Sequence, residues 1–250
     1  MKSRFLFLLL MLLFISSPGA FAQQLDSRDI LDHVDDLFRG HSSYGTSSMK
    51  VVTSHYSREM TLEAWSKDKD YTLIRILKPL KEKDTATLKA GNNIWNYLPK
   101  VNRVIKVPSS MMGGSWMGSH FTNDDLVKES RMADDYTYEI TFQGEKDGKS
   151  IIELTLLPRP DAAVVWGKVT VCVRQDDWMP LSIDYFDEQM VKKRTMSFSD
   201  IKELGGRTLP ARLRMIPTDK PGEYTEFIYL DIDFNLGLEN DFFSLRNLKK

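Results

Sequence analysis

What this chain lacks narrows its possible roles first. Cys172 is the only cysteine in 250 residues, so no intrachain disulfide is available and packing must supply the stability. Lys and Arg number 34 against 35 Asp and Glu, a formal charge of −1. The charges are scattered, and the absence of a basic stripe argues against a nucleic-acid partner. His33, His41, His55 and His120 are the only histidines, too far apart for a His-x-x-x-His or Cys/His metal motif. There is no Gly-x-Ser-x-Gly turn and no glycine-rich phosphate loop between a strand and a helix. These gaps point away from an enzyme and leave no catalytic residue, metal or cofactor to assign.

Long apolar runs are also missing, with one exception. Within "MKSRFLFLLLMLLFISSPGAFA" the stretch Phe5 to Ile15 is apolar, preceded by Lys2 and Arg4 and followed by Ala20-Phe21-Ala22. That is the layout of a secretory signal over residues 1–22, and the run is short for a membrane span. No cysteine stands directly after the cleavage site, where Gln23 is found, so nothing supports N-terminal lipidation. The expected product is a periplasmic chain of residues 23–250 forming one domain.

Between Leu25 and Gly40, Ile30, Leu31, Val34, Leu37 and Phe38 recur at helical spacing, with Asp26 or Ser27 to cap the start and Gly40 to stop it. Its apolar face must cover something. After it the period changes to two. "SSMKVVTS", "REMTLEAWSK", "DYTLIRIL", "DTATLKA", "NNIWNYLP" and "NRVIKV" read as strands, and a second series runs from "YTYEITFQGE" to "YTEFIYLDIDFN". Turn signals stand at Asp147-Gly148, Gly205-Gly206 and Pro221-Gly222. About a dozen strands with no βαβ alternation predict an all-β barrel or sandwich. One interruption, Pro108 to Asp134, is long enough to leave the sheet, and its place predicts an insertion from one rim. The tail "NDFFSLRNLKK" reads as a docking turn, and Cys172 in "VTVCVR" as a packed strand position.

The interruption contains "MMGGSWMGSHFTNDDL", Met111 to Leu126. Thr122-Asn123-Asp124-Asp125 fits the pattern that opens a helix, with Thr122 and Asp125 exchanging bonds across the cap. Paired-carboxylate chemistry is the competing reading, but adjacent residues on a helix do not face each other. Met111, Met112, Trp116, Met117 and Phe121 are apolar in a loop with three glycines. Such a loop either binds a guest or plugs its own barrel mouth. Trp95 and Tyr97 share one face of "NNIWNYLP", and Trp65 opposes Met60, Leu62 and Ala64, so these strands are apolar on both sides. Core packing and cavity lining both remain open for them.

"SWMGSHFTNDDL", "WNYLPKVNRVIKVP", "VVWGKVTVCVRQDDWMPLSIDYFDE", "RTMSFSDIKELGGRTLPARLRMIP" and "DFFSLRNL" together resemble the LolA-like family of outer-membrane lipoprotein-sorting proteins. The resemblance spans nearly all of residues 23–250. It implies a mainly β fold, a half-open curved antiparallel β-barrel covered by a few α-helices. It further implies a carrier whose cavity holds acyl chains of lipoproteins or lipids and touches membranes only transiently. Ligand contact would fall to Met111, Met112, Trp116, Met117 and Phe121, with Trp95 and Tyr97 as lining. The alternative is an accessory subunit of an RND-type exporter that carries no lipid, in which the same Met/Trp loop contacts protein.

Overall fold

The computed structural model describes residues 26–128, 132–162 and 164–250; the expected signal at residues 1–22 lies outside them. Helix α1 (Ser27–Arg39) opens the described chain. The Asp26 carboxylate accepts the Arg28 N–H at 2.8 Å, and Gly40 ends the helix at φ 56°, where a side chain would be strained. A Cβ at Gly40 would also stand 2.8 Å from the Arg207 guanidinium. Ile30, Leu31, Val34 and Leu37 form the buried stripe.

Thirteen strands then build one antiparallel sheet: β1 (Ser42–Val52), β2 (Ser57–Lys67), β3 (Tyr71–Lys78), β4 (Ala86–Ala90), β5 (Asn93–Leu98), β6 (Arg103–Lys106), β7 (Tyr136–Lys146), β8 (Lys149–Pro158), β9 (Lys168–Arg174), β10 (Pro180–Phe186), β11 (Lys192–Leu204), β12 (Arg207–Pro217) and β13 (Tyr224–Phe234). Each segment read as a strand from its alternation lies in this sheet. Strand β1 starts earlier than expected, because "SSYGT" pairs along β13 and β2 without any apolar alternation to announce it. The hairpin turns form as their residues require: Asp147, Gly148, Gly205, Gly206 and Gly222 all have φ between 52° and 83°, the left-handed region these turns need.

The spatial order is β6-β5-β4-β3-β2-β1-β13-β12-β11-β10-β9-β8-β7. First and last strands therefore meet in the middle, Met49 opposite Phe227. The two edges, β6 and β7, are consecutive in the chain. The sequence places the 108–134 interruption on one rim; the topology makes it instead a strap between the two edges of a sheet that stays open. Short helices α2 (Asp125–Lys128) and α3 (Met132–Asp135) lie in or at the end of this strap, and α4 (Leu245–Leu248) closes the tail. The architecture is a curved, half-open, mainly β barrel with a few helices.

Both faces of the sheet are apolar. On the concave face one cluster gathers Ile152, Leu154, Val171, Ile183 and Met196 around Ile30 and Val34 of α1. A second gathers Met49, Val51, Met60, Leu62 and Ile76 around Trp116 of the strap. Register explains the second: Met49 faces Met60, and Leu62 faces Ile76. The convex face carries a third cluster, with Leu73, Leu88 and Tyr97 sealed by Phe243 and Leu248 of the tail. The tail thus docks as its sequence suggests, and Arg75 of β3 pins it by donating to the Asn247 carbonyl at 2.9 Å. Cys172 is half-buried on β9, and burial pushes its thiol pKa up.

Candidate functional site

Between the two concave clusters the sheet leaves a hollow of about 190 Å³. Its floor is made of small side chains at inward positions of neighbouring strands: Ser43, Gly45 and Ser47 on β1, Ala64 and Ser66 on β2, and Thr72 on β3. Gly45 is dictated by close approach, since a Cβ there would stand 2.7 Å from the Asp231 carbonyl oxygen. That approach coincides with the irregular register between Thr46 and Ser47 against β13. Ser43 and Ser66 satisfy each other at 2.7 Å, so these two hydroxyls present little unmet polarity to the hollow. Phe227, Tyr229 and Ile232 form one wall. Phe38 of α1 stacks on Tyr229 with ring centroids 5.4 Å apart. Beyond this stack lies a second hollow of about 110 Å³, under α1, with Leu31, Val34 and Leu213 in its lining.

The strap covers the larger hollow. Trp116 is 4% exposed, and its indole N–H donates to Thr87 Oγ1 at 3.1 Å, which in turn donates to Asn96 Oδ1 at 2.7 Å. The chain then turns tightly: Trp116 N–H donates to the Phe121 carbonyl at 2.8 Å, with Met117 and Gly118 at φ 51° and 66°. Phe121, half-buried, touches both concave clusters. Trp116, Phe121 and Leu126 are the strap's apolar contributions to the lining.

Polar contacts hold this cover from both halves of the barrel. From the β2 side, Tyr56 donates to the Gly118 carbonyl at 2.6 Å, and Arg58 donates to the Met117 carbonyl. From the β13 side, the His120 N–H donates to Thr225 Oγ1 at 2.9 Å, while its ring lies 2.8 Å from the same hydroxyl and 3.1 Å from Glu223. Glu223 also accepts the Ser54 N–H at 2.9 Å. That backbone donor, followed by His120, holds its carboxyl pKa down at about 2.

The strongest anchor is Arg194 on β11. Its side chain is 5% exposed and that of Asp125 6%. Arg194 donates to both Asp125 oxygens, the longer bond at 2.8 Å, and to the His120 carbonyl at 2.9 Å. The guanidinium lies 4.4 Å from the ring centroids of both Trp166 and Tyr185, the stacked setting that suits arginine and not lysine. Nearby, the Tyr136 hydroxyl pKa is pushed well up, first by burial and then by Asp124. The capping box is present as its residues imply: Asp125 N–H donates to Thr122 Oγ1 at 3.2 Å, and Thr122 N–H donates to Asp125 Oδ2 at 2.6 Å. Asp125 therefore serves helix α2 and Arg194 together. No group of three or more His, Cys, Asp or Glu among the described residues is placed to hold a metal.

The residues singled out in the sequence separate into three groups. Trp116 and Phe121 lie over the hollow, and Met117 packs beside them on the second concave cluster. Met111 is 58% exposed and Met112 half-buried; neither is among the residues lining the hollows. Trp95 and Tyr97 are elsewhere: they belong to the convex cluster under the tail, because alternation along β5 sets them opposite Leu88 and Ala86. A lining role for these two is corrected by that register. Arg194 escaped the sequence reading altogether. The available signal was parity, since it shares the inward face of β11 with Met196 and Phe198.

Solved structures of similar shape place this architecture. A DUF1329 family protein from Desulfovibrio piger superposes at TM-score 0.80 with 21% identity, covering 88% of this chain and 97% of its own. A domain described as an outer membrane lipoprotein-sorting protein, from Vibrio parahaemolyticus, gives 0.75 at 22% identity, covering 89% and 98%. A LolA superfamily protein from Nitrosomonas europaea gives 0.76 at 18% identity, covering 89% and 99%. No curated protein matches. At these identities the likeness establishes a LolA-like fold. In sequence, residues 68–250 match the family described as "-like: Uncharacterized protein", and it is to this family that the chain belongs.

Proposed function

We propose that this protein is a periplasmic, non-enzymatic carrier that takes an acyl chain of a lipoprotein or lipid into the concave hollow and conveys it toward the outer membrane. The observation that carries the reading is the hollow itself: strands otherwise packed with Met, Leu and Ile switch to Ser, Gly and Ala where the strap's Trp116 and Phe121 cover them. Evolution of a simple core would fill such a place, because voids cost stability. In the closed state a space of this size suits a benzene-sized apolar group. A longer chain is admitted when Phe38 swings off Tyr229 and joins the two hollows, or when Trp116 lifts from Thr87. Each methylene buried then contributes about 0.8 kcal/mol, and displacing the anchored strap offsets part of it. That balance favours release as well as capture. The LolA-like fold, and the lipoprotein-sorting description of one neighbour, support the same class of cargo.

The alternative, an exporter subunit that uses the Met/Trp loop to contact protein, is less well supported. Trp116 is buried and hydrogen-bonded, hence unavailable to a partner without first leaving the hollow.

The test fills the space. Ala64→Leu and Ser47→Leu put bulk into the floor and are expected to abolish binding of a fluorescent fatty-acid probe, while changing stability by no more than about 1 kcal/mol. A wild-type protein that takes up no probe, and that carries no lipid-sized adduct in native mass spectrometry after purification from a periplasm, would remove the carrier reading.

A further inference from the structure

The sheet's two ends differ, and the difference points to a surface separate from the hollow. In an antiparallel run the β3–β4 and β5–β6 hairpins must emerge at the same end, about 10 Å apart by strand spacing. Both carry exposed apolar tips. Leu80 is 86% exposed, the most of any large apolar side chain among the described residues, and Val101 is 60% exposed. Five cations surround them: Lys78, Lys81 and Lys83 on one hairpin, Lys100 and Arg103 on the other, all exposed. The acids nearby are engaged or recessed, Glu82 pairing with Arg58 at 3.1 Å and Asp84 half-buried. At the opposite end of the same strands the turns read Asp68-Lys69-Asp70 and Gly91-Asn92, with no exposed large apolar side chain.

We infer that the paired hairpins around Leu80 and Val101 dock peripherally on an anionic lipid bilayer. Two apolar tips ringed by lysines match an interface whose headgroups are negative and whose depth is apolar. Lysine stems lie along the apolar layer while their ammonium groups reach phosphates. Two short hairpin tips of this kind give a peripheral, reversible attachment. It brings the Leu98/Arg103 end of the β5–β6 hairpin to the bilayer surface. The inference stands apart from the cargo reading, since it uses none of the residues that line the hollow.

Co-sedimentation of the full chain with vesicles tests it. With vesicles of equal parts phosphatidylglycerol and phosphatidylcholine at low salt, binding is expected; with phosphatidylcholine alone it is not. Raising the salt should weaken it. Leu80→Ser with Val101→Ser should cut affinity about tenfold or more by removing the apolar tips, and Lys81→Glu with Lys100→Glu should do the same by reversing charge. Near-UV circular dichroism verifies that the variants fold. No binding to the anionic vesicles, equal binding to neutral ones, or wild-type binding by both variants would overturn the inference. So would equally tight binding to heparin that the serine variant leaves untouched, which would mark a general polyanion surface. Probe uptake into the hollow should be unchanged in both variants. If uptake fails in every form while vesicle binding holds, only the carrier reading falls.

Discussion

On the convex face of β2–β5 the rings of Trp65, Tyr71, Phe242 and Phe243 meet at centroid separations of 5.3–5.6 Å. One layer of backbone away, the concave face of the same strands offers Ala64, Ser66 and Thr72 to a hollow. Both faces are apolar and both are covered by a segment from outside the sheet. The tail covers its face with bulky rings and fills it. The strap covers the other with Trp116 and Phe121, leaves space beneath, and is fastened by polar bonds to separate halves of the barrel. A filled face serves stability. A hollow one, whose cover is pinned at a few nameable bonds, suits the carrier role proposed above.

The largest expected effects test whether the two covers differ in this way. Phe243→Ala, on the filled face, should cost about 3–5 kcal/mol in urea unfolding and leave fatty-acid probe binding intact; a change in probe affinity without a stability loss would break the comparison. Arg194→Ala, on the hollow face, should cost a similar amount, about 3–5 kcal/mol, because Asp125 is left as an uncompensated buried carboxylate. Unlike Phe243→Ala it should speed probe entry, since the strap loses its β11 anchor, and replacing Asp125 with Ala as well should restore part of the stability.

Smaller effects sharpen the picture. Thr122→Ala removes one half of the capping box and should lower stability by about 1 kcal/mol, with a modest gain in probe entry rate by stopped-flow fluorescence. The Glu223 anchor should depend on pH with a definite sign. Its folded pKa of about 2 lies below the ordinary glutamate value, so its contribution is present above that ordinary value and is lost as pH falls toward 2. The difference in unfolding midpoint between wild type and Glu223→Gln should therefore be steady at neutral pH and shrink in acid. A difference that grew below pH 4 would contradict the role given to Glu223.

Several features of the fold and of the strap are legible in the chain. The α1 stripe and its caps at Asp26 and Gly40, the strands, the hairpin turns and the reciprocal Thr122/Asp125 cap follow from residue type and spacing. They are local, and each is decided within a few residues. The start of β1 is not legible, because Ser42 to Thr46 have no apolar alternation and are held in place by β13 from the far end of the chain. Nor is the partnership of His120 with Thr225 and Glu223, or of Asp125 with Arg194, since pairs separated by 69 to 105 residues meet only through the strand order.

By itself, then, the sequence determined a mainly β chain with one amphipathic helix and a capped greasy segment, because period, turn propensity and capping act over short range. Only the tertiary structure decided that the greasy segment straps two open edges, that Trp95 and Tyr97 face the tail, and that small residues on three strands converge into a hollow. Alternation fixes which side chains share a face. It does not say which face curves inward, and that choice is made where β1 meets β13.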